Sequence, residues 1–240
     1  MDMLLVLAVG LVAGTISGIV GFGSSIMLMP VLVLVFGPLQ AVPIMAIAAI
    51  IGNASRILVW WRKVDWRAVT AYSITAAPAA AVGARTLLVL PPKLIEAALG
   101  VFFLAMIPVR RWLGSHHRRI THGQLAIIGV FVGFLTGIVA TTGPITAPIF
   151  LAHGLVKGAF VASEAAGSLA VYVAKAAVFR TFGALPIEAI ANGVVIGGSL
   201  MAGSLLAKRF VLKLEPSQFR LMMDALLLIA GITLLWSALA

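Results

Sequence analysis

The chain has 240 residues, 62% hydrophobic and only 10% charged, with mean hydropathy +1.16; a soluble domain carries roughly a quarter charged residues, so this one cannot cover itself with polar surface. The net charge is +10, but the bases sit between apolar stretches, as the positive-inside bias of membrane proteins requires, which excludes a nucleic-acid-binding reading. With no cysteine, disulfides, thiolate metal sites and thiol relays are excluded too.

In chain order, apolar blocks lie at about residues 3–37, 38–61, 67–88, 92–112, 123–150, 157–181, 186–207 and 216–239. All are expected to be helical, because about 20 apolar residues cross the hydrocarbon as a helix and a bilayer demands that backbone groups be satisfied internally. The opening MDMLLVLAVGLVAG lacks a basic leader and is expected to be retained as a membrane element. The longest polar stretch, residues 110–124, leaves no room for a soluble domain.

The blocks form two sets of four. Gly10, Gly14 and Gly18 match Gly129, Gly133 and Gly137 at an offset of 119; Pro30 matches Pro148 at 118, and Gly83 matches Gly203 at 120. Pro92 and Pro216 open the fourth block of each set. The predicted organisation is an N-terminal repeat at 1–112, a basic cytoplasmic linker at 113–122 and a C-terminal repeat at 123–240. As one helix, residues 3–37 would be about 50 Å long at 1.5 Å per residue, too long for one span. A broken helix or re-entrant hairpin at residues 21–25, followed by three transmembrane helices, makes each half change sides, so the repeats are inverted. Charge agrees with inversion. It places the three bases of residues 208–213 inside, whereas parallel repeats would place residues 180–188 there, with one base and one acid. Both termini then lie outside. The fold class expected is an all-α polytopic membrane protein of two inverted repeats.

The breaks read GIVGFGSSIMLMP from Gly18 and GIVATTGPITAP from Gly137. A helix is expected to restart at Ser24 and Ser25 in the first, and after Thr141 and Thr142 in the second, with Gly143 and Pro144 opening it. Serine and threonine favour the N-cap, and proline the first turn. Each restart presents backbone N–H groups and a positive dipole end suited to an anion, and Gly21 and Gly23 let backbone approach a ligand closely. Inverted-repeat transporters place such breaks around a midplane site. A packing kink is the plainer alternative.

On these segments the chain resembles the TauE/SafE family of sulfite-exporter-like permeases. GLVAGTISGIVGFGSSIMLMP, WWRKVDWRAV and GVFVGFLTGIVATTGPITAP carry the resemblance, which covers essentially the whole chain. Members commonly show a GxGGG-like run at the first break; here it reads GFGSS. The resemblance implies secondary transport, by export, of small sulfur-containing or organic anions such as sulfite, sulfoacetate or related sulfonates. It also implies a multi-pass protein of the bacterial inner membrane, and leaves open a coupling proton or sodium ion and a homo-oligomer. An anion channel-like pore is the alternative.

Ionisable groups within spans are costly and point to function. Arg56 lies near Asn53, and Lys175 and Tyr172 stand at the same offset of 119 from them. Inverted symmetry would bring both cations toward one anion; snorkelling to the interface is the alternative. Glu164, Ser168, Tyr172 and Lys175 share one helix face by spacing. Glu164 is the candidate for a coupling proton, or the structural partner of a base. Arg85 is expected to anchor at the interface, as are the five tryptophans. His116, His117 and His122 lack a second ligand cluster, so no metal is expected. The chain contains no phosphate-binding GxxxxGK[ST] run, nucleophile elbow or metalloprotease motif, so neither an enzyme nor a cofactor is expected.

Overall fold

The computed structural model describes residues 2–115, 119–139, 143–210 and 216–239. Among them there are ten α-helices and no strand: α1 (Asp2–Val20), α2 (Ser24–Phe36), α3 (Pro38–Trp60), α4 (Trp66–Leu87), α5 (Pro92–Ser115), α6 (His122–Val139), α7 (Gly143–Ala152), α8 (Lys157–Thr181), α9 (Ile187–Phe210) and α10 (Pro216–Leu239). The block judged too long for one span, 3–37, holds the two helices α1 and α2, and the block 123–150 holds α6 and α7. The helix α5 runs to Ser115 and α6 opens at His122.

Stretches Leu39–Lys63, His122–Val139, Lys157–Thr181 and Ile187–Ala207 are long and apolar enough to cross a membrane. By contrast, α2 has 13 residues and α7 has 10. At 1.5 Å per residue these are about 20 and 15 Å long, too short to cross about 30 Å of hydrocarbon alone. The outer surface carries large apolar side chains: Leu34, Ile74 and Phe131 are 72%, 74% and 72% exposed. In water such a surface would aggregate; in lipid it is the expected one.

The halves are held by close helix crossings. The helix α1 lies along α9, and α6 along α4. Gly14 faces the backbone of Leu200, and Gly18 faces Ser204 and Ala207, leaving no room for a Cβ. On the other side Gly133 faces the backbone of Ala76, and Gly137 that of Ala80. Gly83 and Gly203 return the contact, against Phe134 and Leu11. The glycine series that revealed the repeat is therefore the surface on which helices touch, the usual use of small residues where dispersion replaces the hydrophobic drive. Thr75 adds a hydrogen bond across the second crossing, its hydroxyl donating to the Ala126 carbonyl at 2.6 Å.

The main packing pairs come in matched sets. α1 with α9 corresponds to α6 with α4, α3 with α9 to α8 with α4, and α2 with α10 to α7 with α5. α3 meets α8, and α5 meets α10. One apolar cluster gathers on α2, α3 and α5 around Met45 and Phe103; a second gathers on α4, α6, α7 and α8 around Tyr72 and Phe150.

Candidate functional site

The first break is a backbone device. Gly21 and Gly23 sit at φ 93° and 107°, in the left-handed region that glycine enters without steric cost. The Gly21 N–H still closes on the Ser17 carbonyl, at 2.8 Å, and α2 then starts at Ser24. Gly23 occupies the cap position, with no side-chain cap bond. This corrects the expectation that a serine caps the helix. The first bond of α2 runs from the Met27 N–H to the Gly23 carbonyl, so the amides of Ser24, Ser25 and Ile26 belong to the turn that has no intrahelical acceptors. Ser25 is buried, and neither its hydroxyl nor that of Ser24 has a hydrogen-bond partner among the described residues.

At the second break α7 begins at Gly143, as expected. Thr141 and Thr142 lie outside the described residues. A Cβ on Gly143 would come within 3.0 Å of the Phe22 side chain, so the two breaks touch each other.

They meet at a cavity. Gly23, Ser24, Ser25 and Gly143 line it together with Phe22. Asn53 and Arg56 enter from α3, Tyr72 from α4, Thr136 from α6, and Glu164, Ser168 and Tyr172 from α8. The free space is about 30 Å³, room for about two water molecules.

Its centre is an ion pair removed from solvent. Arg56 Nη1 lies 3.4 Å from Glu164 Oε2, with both side chains buried. The second arm of Arg56 donates to Asn53 Oδ1, one helical turn earlier. Glu164 Oε1 accepts from Ser168 at 2.9 Å and from Thr146 at 3.0 Å. The start of α8 is fixed in turn by α4. Asp65 caps α4 by accepting from the Arg67 and Ala68 amides, and the Asp65 N–H donates to the Ser163 hydroxyl at 2.8 Å. A buried pair is tolerable when its other polar atoms find partners, as the second arm of Arg56 and Oε1 of Glu164 do here.

The structure separates residues that sequence symmetry treated alike. Arg56 lines the cavity. Lys175 is fully buried and does not. Its Nζ donates to the Thr136 carbonyl at 2.7 Å, in the last turn of α6. Lys175 thus closes the C-terminal end of α6 beside the second break. Neither cation snorkels. Of the expected polar stripe on α8, Glu164, Ser168 and Tyr172 reach the cavity, and Glu164 pairs with a base. Arg85 is exposed at the end of α4, its guanidinium 4.0 Å over the Phe182 ring. His122 and His153 stack edge to face at 4.7 Å, away from the cavity residues, with His153 Nδ1 2.6 Å from the Ile120 carbonyl. No cluster of metal-ligating side chains occurs among the described residues.

Phe22, Tyr72, Thr136 and Ser168 line the cavity but were not among the expected site residues. Tyr72 carried a signal. The chain has two tyrosines, both inside apolar spans instead of at their ends, and both line the cavity. Tyr72 is 1% exposed and packs edge to face on Phe150 at 5.4 Å. Its hydroxyl has no hydrogen-bond partner among the described residues.

Helical throughout its described elements, with an apolar exterior and a polar cavity where two helix starts meet, the chain has the architecture of a multi-pass membrane transporter. The chain belongs to the TauE/SafE sulfite exporter family, whose model, described as Sulfite exporter TauE/SafE, matches residues 6–234. No curated protein and no solved structure matches it.

Proposed function

We propose that the protein is a secondary transporter, an exporter of small sulfur-containing or organic anions such as sulfite, sulfoacetate or related sulfonates, held in this cavity near the membrane midplane. Family membership supports transport of sulfur anions. The observation that carries the site is the convergence of two helix starts, at Ser24 and Gly143, and one guanidinium, that of Arg56, on the same enclosed space. Helix starts offer N–H donors and positive dipole ends; the Ser25 and Tyr72 hydroxyls, without a hydrogen-bond partner among the described residues, add donors; the guanidinium suits a planar or pyramidal oxyanion. The small free volume favours a carrier over an open pore, since the anion enters only as helices move apart.

Two inverted repeats, 1–112 and 123–240, joined by a cytoplasmic linker in a bacterial inner membrane, are part of the proposal. The matched packing pairs support a two-fold relation between halves, and the charge bias supports inversion. With no native cysteine, Lys63→Cys and Glu188→Cys report sidedness directly. Inverted repeats place them on opposite faces; labelling of both from one face would leave parallel repeats.

The test of the site is a binding titration of purified protein with sulfite, sulfoacetate and methanesulfonate. At least one is expected to bind, and Ser25→Leu to abolish binding while keeping the size-exclusion profile of the parent. In proteoliposomes the flux of that anion is expected to saturate and to show counterflow. Absence of binding by all three, or unaltered binding in a folded Ser25→Leu protein, removes the anion from this cavity.

A further inference from the structure

Building on the anion site just described, we propose that the cavity takes up its anion together with one proton, and that the proton settles on Glu164. Arg56 is the one guanidinium lining the cavity among the described residues, and in this structure its two arms are engaged by Glu164 and Asn53. An anion that recruits Arg56 takes the place of the Glu164 carboxylate. That leaves two negative groups side by side among buried side chains, where like charges at close range favour the neutral form of one.

Among the described residues, the surroundings of Glu164 offer no other cation to compensate it. From α3 it meets Arg56; from α4, Tyr72; on α8 itself, Tyr172. The helices α6 and α7 present Thr136 and Thr146, which are uncharged, and the His122 of α6 lies at the opposite end of that helix. Lys175 is committed to the Thr136 carbonyl. Arg62 and Lys63, in the turn packed on α8, are exposed, and their charges lie over Trp61 and Trp60. Asp65 is engaged by the α4 amides.

The geometry also selects the atom. Ser168 and Thr146 approach Oε1, so Oε2, which faces Arg56, is the oxygen left bare when the guanidinium turns away. One proton from the aqueous phase bonds to Oε2, no bond of the anion breaks, and the charge of a monoanion is balanced. The resulting O–H can donate to the anion in place of the lost ion pair.

Calorimetric titration of the wild-type protein with methanesulfonate, whose charge is fixed from about pH 5 to about pH 8, tests this when run in two buffers of different ionisation enthalpy. Uptake of one proton per bound anion is expected, with affinity falling about tenfold per pH unit on the alkaline side, because the bound state holds the extra proton. Glu164→Gln is expected to bind with pH-independent affinity and no uptake. Ser168→Ala, which removes a donor to the charged carboxylate, is expected to move the alkaline fall to higher pH and serves where Glu164→Gln does not fold. Binding by wild type without proton uptake overturns the proposal while leaving the anion site standing. Uptake that persists in Glu164→Gln, or a Ser168→Ala profile superimposed on wild type, overturns the assignment to Glu164. No binding at any pH overturns the anion site itself.

Discussion

Helices α3 and α8 occupy matching places in the two halves, and they carry different chemistry. At the 119 offset Met45 stands opposite Glu164, Ala49 opposite Ser168, Asn53 opposite Tyr172, and Arg56 opposite Lys175. Met45 is buried among apolar side chains, while Glu164 is the acid at the centre of the cavity. Arg56 faces that acid; Lys175 closes the end of α6. The frame around them repeats far better: the glycines of α1 and α6 meet small residues or backbone on α9 and α4 in the same order. Backbone shape is shared by the halves, and polar function is divided between them. That division is what lets one half supply the cation and the other the acid of a single pair.

The largest effect should come from breaking the shared frame, and it should be alike on both sides. Gly14 and Gly133 each face partner backbone where a Cβ has no room. Gly14→Leu and Gly133→Leu are each expected to cost upward of ~3 kcal/mol, the upper end for overpacking, read as lost monodisperse yield and a lower Tm. A tolerant Gly14→Leu beside a failing Gly133→Leu would show that the two crossings are not equivalent.

The cations should then separate the halves. Arg56→Gln removes one partner of a buried pair and leaves Glu164 uncompensated, at about 3–5 kcal/mol in stability. Where it folds, it is expected to lose about tenfold or more in anion affinity, the size of one charge-assisted contact. Lys175→Gln should keep the parent affinity and lose about 1.5–3 kcal/mol of stability, the range for a hydrogen bond from a charged group. Equal losses of affinity in both would restore a symmetric two-cation site.

These contrasts explain what the sequence made legible. The helical class, the two breaks, the restarts at Ser24 and Gly143 and the pairing of Glu164 with a base follow from length, glycine placement and the cost of lone charge in lipid. The cap at Gly23 was not foreseen because a residue-type preference for serine was applied where two left-handed glycines set the turn. Lys175 stands apart from the cavity that Arg56 lines, because an offset locates a residue in the repeated frame and says nothing about which way a long side chain turns. Here the Lys175 side chain turns to the Thr136 carbonyl of α6. Tyr72 was missed because it is distant in sequence from both breaks, and only the packing of α4 on α6 and α8 brings it there.

Tyr72 offers the finest test of the division. At the 120 offset shared by Gly83 and Gly203 its counterpart is Asn192, which does not line the cavity. The Tyr72 hydroxyl is therefore a donor supplied by one half alone. Tyr72→Phe keeps the ring against Phe150, and since the hydroxyl makes no hydrogen bond among the described residues, the folded protein should be as stable as the parent or slightly more so. Its affinity for the anion should fall about two- to tenfold, the worth of one neutral hydrogen bond at about 0.5–1.5 kcal/mol. Asn192→Ala should leave affinity unchanged. If Tyr72→Phe binds as the parent does, the hydroxyl is no ligand donor, and Arg56 with the two helix starts must hold the anion without help from α4.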